Sequence, residues 1–420
     1  MDKQLSAHEL TDHFFRHSYA KLVALLVRYF GLSEISLAED IVQDTLVDAM
    51  EQWSLQGLPQ NPEGWLLDVA KKKTINSLKR QQFFLKKVVP EFQEMERLEA
   101  HFESGAIQHQ DNQLRMIFSC CHPILAEESQ IALALKTLCG LSISEIAQAL
   151  LTSKANINKR LYRAKQQFRQ GKFDFVLPPA TGPSGQDPSR LTGVLKTLYL
   201  LFKTGYYSNQ RKTSIQIELC FEAVRLQRQV LVTYQTSAVA QSLLAWMLLC
   251  IARFPGRQDQ AGLLLPLEEQ DRTSWDQRLI AEGINLLQLA TQSNALNSYL
   301  LQAGIAAEHC LAPSFEATNW ASIYQQYALL ERFEASSIIQ FNKAIARFHQ
   351  GQQQQALIDL QSMKEEPSLK SNLHFQCALG LFLLHQKQTA AAQLHFKQAL
   401  SLATSDQEKE LIRRRISTQK

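Results

Sequence analysis

Apolar residues recur at helical spacing along most of the chain. Period-two alternation bounded by Asn-Gly or Gly-Gly turns is essentially missing. In LAEDIVQDTLVDAMEQW (37–53), Ala38, Ile41, Thr45 and Ala49 share one face, and Asp40, Asp44, Asp48 and Glu51 share another. In WLLDVAKKKTINSLKRQQFFLKK (65–87), Leu67, Ala70, Thr74 and Leu78 form the inward stripe, while Lys72, Asn76 and Lys79 lie on a different face. The stretch LSISEIAQALLTSKANINKRLYRAKQQFRQGK (141–172) reads as two helices. Ser144 caps the first, with Ile146, Ala147 and Leu150 inward; after a tight turn at Leu151-Thr152, Ser153 caps the second, with Ile157, Leu161, Ala164 and Phe168 inward. The pattern predicts an all-α protein.

Two breaks interrupt it. In PPATGPSGQDP, six of the eleven residues are Pro or Gly, a composition that opposes helix and reads as a linker. EFQEMERLEAHFESGAIQHQD (91–111) is acidic with little apolar patterning. The predicted organisation is 1–88, an acidic linker 89–111, 112–172, a Pro/Gly linker 173–189, and a helical extension 190–420. Within the extension, NKAIARFHQGQQQQALIDLQSM (342–363) aligns with ALGLFLLHQKQTAAAQLHFKQAL (378–400), pairing Ala344 with Gly380 and Ala356 with Ala392. Small residues at these points let antiparallel helices approach closely, so tetratricopeptide-like hairpins are expected near 336–402. Gln376 stands where that repeat carries a large aromatic.

Composition narrows the class. A chain of 420 residues with 45% hydrophobic and 20% charged residues has the make-up of a globular protein with a substantial core. Its 7 cysteines are odd in number and form no CxxC pair, which fits a reducing compartment. The N-terminus lacks a basic-then-apolar leader pattern, and the apolar run 242–252 is too short to span a bilayer. A cytoplasmic protein without a membrane partner is expected.

The net charge of +4 is small, but local charge is not. Like charges at i,i+4 destabilise an isolated helix, so the carboxylate row of 40–51 suits either solvent or a basic partner. The segment 65–87 carries seven Lys/Arg and no acid after Asp68, beside a turn-rich loop flanked by Trp53 and Trp65. Cations with an amide suit a phosphate backbone, and aromatics suit unstacked bases. The run 153–172 has seven basic residues and no acidic one, which builds phosphate neutralisation into a helix-turn-helix.

These parts, in this order, resemble an extracytoplasmic-function RNA polymerase sigma factor with a long C-terminal extension. SLAEDIVQDTLVDAMEQW resembles the polymerase-binding helix of region 2, and NPEGWLLDVAKKKTINSLKR the helix that reads the −10 element. LRMIFSCCHPIL followed by ALKTLCGLSISEIAQALLTSKANINKRLYRAK resembles region 4, which reads the −35 element. TLYLLFKTGYYSN, EEQDRTSWD and AIAAEH resemble the extension, although Lys203-Thr204 stands where the family has Asn-Glu. The resemblance implies a region 2 bundle, a region 4 helix-turn-helix domain, and core polymerase and promoter DNA as partners. Apart from the resemblance, the size of 190–420, its helical hairpins and its tie through the linker lead to the expectation that it regulates the rest in cis, by docking on it or by recruiting a regulatory protein. The resemblance assigns Asp40, Gln43, Asp44 and Asp48 to polymerase. It assigns Trp53, Asn61, Trp65, Lys71, Lys72, Asn76, Lys79 and Arg80 to −10 DNA. Ser153, Lys154, Asn156, Asn158, Lys159, Arg160 and Arg163 go to −35 DNA.

The rival reading is a non-sigma helix-turn-helix regulator with a helical-repeat sensor. It gives the acidic stripe and tryptophan loop no role. No phosphate-cradling glycine loop, HExxH or nucleophile elbow is present, so no enzyme, catalytic residue or cofactor is expected. Asp271, Arg272 and Trp275 read as an ion-paired helix start. Cys120-Cys121-His122 has metal-ligand residue types, yet Leu114, Ile117, Phe118 and Cys121 follow core spacing and Cys120 projects about 100° away. Side chains so divided rarely share one ion, so no metal is expected.

Overall fold

The computed structural model describes residues 7–85, 109–150, 152–171, 173, 175, 188–207, 213–257, 265–293, 295–403 and 406–417. Those residues are almost all helical, with no strand among them. The chain forms two compact units, Met1–Tyr234 and Gln235–Lys420. Most of both expected linkers lies outside the described residues.

The first unit begins with α1 (Ala7–Phe30), α2 (Ile35–Gln56) and α3 (Pro62–Leu85). Val23, Ala24, Leu25, Leu26 and Val27 are consecutive and all at 0% exposure, so this part of α1 is covered on every face. A helix apolar all round must be enclosed. Here α2 packs on one side, and α4 (His109–Cys120) and α5 (Glu127–Cys139) on the other. The predicted stripe of α2 is fully buried: Ala38, Ile41, Thr45 and Ala49. On α3, Ala70 and Thr74 are buried, whereas Leu66 reaches the core and Leu67 is only half-buried.

Next come α6 (Ile143–Ala149) and α7 (Lys154–Gln170). Ser142, not Ser144, caps α6: its Oγ accepts from Glu145 N–H at 3.2 Å, and Glu145 Oε2 accepts from Ser142 N–H at 2.7 Å. The reciprocal capping box outcompetes a lone hydroxyl two residues later. Ser153 caps α7 as the sequence predicts, and Ile157, Leu161, Ala164 and Phe168 are all buried.

Helices α8 (Pro188–Tyr207) and α9 (Thr213–Thr233), which the sequence reading groups with the extension, pack inside the first unit. Val194, Leu195, Leu198, Leu201 and Phe202 of α8 are buried. Gly193 makes the approach possible, because a Cβ there would lie 2.8 Å from Gln130 Oε1 and 3.2 Å from Cys121 Cβ. Tyr234 closes the unit by stacking on Phe118, ring centroids 5.4 Å apart.

In the second unit, α10 (Ala238–Ile251) is apolar and buried almost all round. The stretch Ala238–Gly256 is long and apolar enough to cross a membrane, yet 72% of it is buried within the protein, as in a core helix. It packs against α11 (Gln277–Thr291) and α12 (Ser298–Leu311). The EEQDRTSWD stretch is a helix start: Asp276 Oδ1 accepts from Arg278 N–H at 2.9 Å and Leu279 N–H at 3.1 Å. Arg272, however, is not ion-paired there. Its guanidinium donates to the carbonyls of His309 and Ala312, at the end of α12, and lies 4.9 Å from the Trp275 ring centre. A cation at the negative end of a helix dipole replaces the expected carboxylate partner.

Beyond α13 (Trp320–Phe333), α14 (Ser337–His349) and α15 (Gln353–Ser362) form one hairpin. After a single turn, α16 (Pro367–Lys370), α17 (Leu373–His385) and α18 (Thr389–Leu402) form another, followed by α19 (Asp406–Ser417). Ala344, Ala356 and Ala392 are buried at the crossings. A Cβ on Gly380 would meet Phe396 at 2.8 Å. Gln376, in the aromatic's place, is buried and satisfied: it donates to Lys370 O at 3.0 Å and contacts His395 Nδ1 at 2.8 Å.

Candidate nucleic-acid interface

The acidic face of α2 is open. Asp40, Gln43 and Asp44 are exposed, and Val47 and Met50, which the charge pattern does not single out, are exposed further along the helix at 52% and 61%. Asp48 is instead half-buried and pairs with Lys73 of α3 at 2.9 Å. Glu39, one residue before the row, is almost fully buried.

The loop joining α2 to α3 rests on an aromatic cluster. Trp53 stacks on Phe15 at 5.5 Å and meets Trp65 edge-on at 5.4 Å, with Phe14 at 5.9 Å. Both tryptophans are thus half-buried supports of the loop in this state. Leu55 in the last turn of α2 and Leu58 in the loop are large apolar side chains open to solvent, 85% and 70% exposed. Asn61 starts α3, its Oδ1 accepting from Gly64 N–H at 2.9 Å, and Lys21 of α1 holds Glu63 at 3.0 Å. Along α3, Lys71 is half-buried, while Lys72 and Asn76 are exposed. Lys79 and Arg80 continue the helix, but their side chains lie outside the described residues.

On α7, the core stripe fixes which residues face out. Ser153, Lys154, Asn156, Asn158, Lys159 and Arg163 are exposed, with Tyr162 among them at 66%. Asn156 is held in place by donating to Thr152 Oγ1 at 3.2 Å. Arg160 is half-buried and pairs with Glu128 at 3.1 Å. A helix reached through a tight turn, capped at its N-terminus and cationic outward, matches a helix that enters the major groove.

The Cys120-Cys121-His122 corner does not form a site. Both thiols are at 0% exposure and turn to different neighbours: Cys120 to Thr137 of α5 at 3.5 Å, Cys121 to Thr197 of α8 at 3.9 Å. Burial pushes the Cys120 thiol up to about 12, and burial raises Cys121 too. His122 Nδ1 accepts from Ile124 N–H at 3.2 Å. Among the described residues, no group of His, Cys, Asp and Glu could hold a metal ion.

Family comparison agrees with this geometry. The model of sigma-70 region 2 matches residues 14–84, that of sigma-70 region 4 matches 115–168, and a family of unknown function, DUF6596, matches 190–291. The chain belongs to the sigma-70 family. It is an RNA polymerase sigma factor with a C-terminal extension, and its partners are core RNA polymerase and promoter DNA. Sigma factor families are not enzymes. An uncharacterized protein of Rhizobium meliloti (strain 1021) is 31% identical over 392 residues, covering 92% of this chain and 90% of that protein. No solved structure matches the chain.

In this sigma factor, regions 2 and 4 are packed together. Lys165 of α7 is ion-paired with Glu39 of α2. Arg16 of α1 pairs with Glu145 of α6 at 2.9 Å, and Arg28 donates to Asn112 of α4 at 3.1 Å. Sequence reasoning missed Glu39 because it treated each charge stripe alone. The signal was there: an acid displaced from the exposed row toward Ala38 and Val42.

Proposed function

We propose that the sigma factor divides its work among three surfaces. Asp40, Gln43 and Asp44 of α2, with Val47 and Met50 beside them, dock on core polymerase, and Asp48 positions the −10 helix through Lys73. Lys71, Lys72, Asn76, Lys79 and Arg80 of α3 follow the −10 strand. An extruded base lies at the loop beside Trp53, Asn61 and Trp65, against Leu55 and Leu58. Unstacking a base costs a few kcal/mol, which stacking in the pocket offsets. Ser153, Lys154, Asn156, Asn158, Lys159, Arg160 and Arg163 read the −35 duplex.

One observation carries this division: a single chain exposes an acidic-apolar helix face and a cationic one free of acidic residues, with opposite partners. The extracytoplasmic-function subgroup fits the order of the motifs, and the cytoplasm is where polymerase and DNA meet. The extension after the DNA-binding part regulates transcription in cis, its helical hairpins offering a surface to a regulatory protein. Run-off transcription with purified core polymerase and no other sigma factor tests the reading. Initiation from a defined start is expected. A protein that only modulates another sigma factor would give no transcript.

A further inference from the structure

We propose that α8 and α9, the first part of the segment matched by the family of unknown function, form an intramolecular clasp. The clasp holds region 4 against region 2 and keeps the free sigma factor from reading both promoter elements.

Distance gives the first argument. Elements named −10 and −35 lie about 25 base pairs apart, about 85 Å at the 3.4 Å rise of B-DNA. In this structure the −35 recognition helix is ion-paired directly to the polymerase-binding helix, Lys165 to Glu39. The two regions must separate before both elements can be held together.

The second argument is what holds them. Helix α9 touches both sides of the seam: Arg225 donates to Gln113 of α4 at 2.8 Å, and Glu222 lies 3.8 Å from His17 Nδ1 of α1. Helix α8 seats Gly193 on Cys121, whose thiol also meets Thr197 of the same helix at 3.9 Å. Between the regions themselves, Gly140 at the end of α5 lies against the backbone of α1, its Cβ position 3.5 Å from Arg16 Cα. The apolar enclosure of α1 adds a non-directional term that no single ion pair supplies. Polymerase can release the clasp because its docking face, Asp40 and Asp44, adjoins Glu39 on the same helix.

A disulfide trap tests this with the full chain. An ideal Cβ at Gly140 lies 3.6 Å from Arg16 Cβ, within the span a disulfide requires, and because the left-handed backbone there (φ 59°) strains any side chain, the reduced double variant is the reference. The pair Arg16→Cys with Gly140→Cys is oxidised by glutathione disulfide and compared with its reduced form. Each single variant controls for pairing with Cys139. Oxidised protein is expected to lose run-off transcription about tenfold or more, with recovery on reduction. Fully cross-linked protein that initiates as well as the reduced form overturns the proposal. A second arm weakens the clasp. Gly193→Leu, with Arg225→Ala as the milder change, is expected to raise binding of the free protein to a promoter fragment carrying both elements about fivefold, with binding to an isolated −35 duplex unchanged because α7 is already exposed. Unchanged binding of the two-element fragment by both variants removes α8 and α9 from this role. Failure of the reduced parent to transcribe would count instead against the surface assignments.

Discussion

Lys165 of the recognition helix neutralises Glu39 of the polymerase-binding helix, and Glu39 is almost wholly buried where it does so. A carboxylate out of water and without its counter-charge is costly. Lys165→Met is therefore expected to destabilise the first unit by about 2–4 kcal/mol, read as a lower urea midpoint. Adding Glu39→Gln should return part of that loss. Equal midpoints for parent and Lys165→Met would mean that the pair contributes nothing.

Asp40 and Asp44 are exposed and make no packing contribution to the core. Asp40→Lys together with Asp44→Lys is expected to abolish capture of core polymerase while circular dichroism and thermal midpoint stay as in the parent. Undiminished co-purification with polymerase would refute the docking assignment.

Lys159 and Arg163 project from α7 without serving the core. Lys159→Ala and Arg163→Ala are each expected to weaken binding to a −35 duplex and to lower the salt slope by about 1 per lost phosphate contact. A Glu128→Gln change, which frees Arg160, should act in the opposite direction. Salt titrations of the duplex complex measure both.

The second unit carries a titrating element. Burial, with the charges of Arg253 and Arg272, lowers His309 from 6.5 to about 3. The unfolded chain then binds a proton that the folded one refuses. Stability from this group is complete above pH 6.5 and is lost as pH falls toward 3. Thermal unfolding of the full chain should show the second unit weakening across that window, and His309→Asn should flatten the slope. His349, lowered by burial to about 4, adds to the effect in its upper part.

Thiol chemistry separates packing from sensing at the Cys120-Cys121 corner. Buried thiols with raised pKa values react slowly, because the thiolate is the nucleophile. Cys120, Cys121 and Cys139 should resist an aromatic disulfide reagent at pH 7.5 in the native protein and react at once in denaturant. Fast labelling of the folded chain would restore a sensory role.

Much of this was legible from spacing. The stripes of α2 and α7 told which faces are buried, because helical period alone decides that. The sequence also marked where the hairpins cross, since only small residues fit there. Three things were not legible. The capping box at Ser142 depended on which of two serines could pair reciprocally with Glu145. Trp53 and Trp65 gave no hint whether they face each other or solvent, because an aromatic suits both. The partner of Lys165 lies on a helix 126 positions away in sequence, and no local pattern reports such a pairing. The unbroken apolar run Leu22–Val27 of α1 was the one long-range clue, since three helices of region 2 alone would leave part of it uncovered.

The stacking of Tyr234 on Phe118 decides where this chain can be cut. A truncation after the Pro/Gly linker would strip two helices from a finished core and leave Phe118, Cys121 and α1 facing water. Its failure to transcribe would then mix lost packing with lost regulation. Division between Tyr234 and Gln235 follows the boundary of the compact units. Residues 1–234 are thus the smallest fragment in which loss or gain of promoter selectivity can be credited to the missing extension.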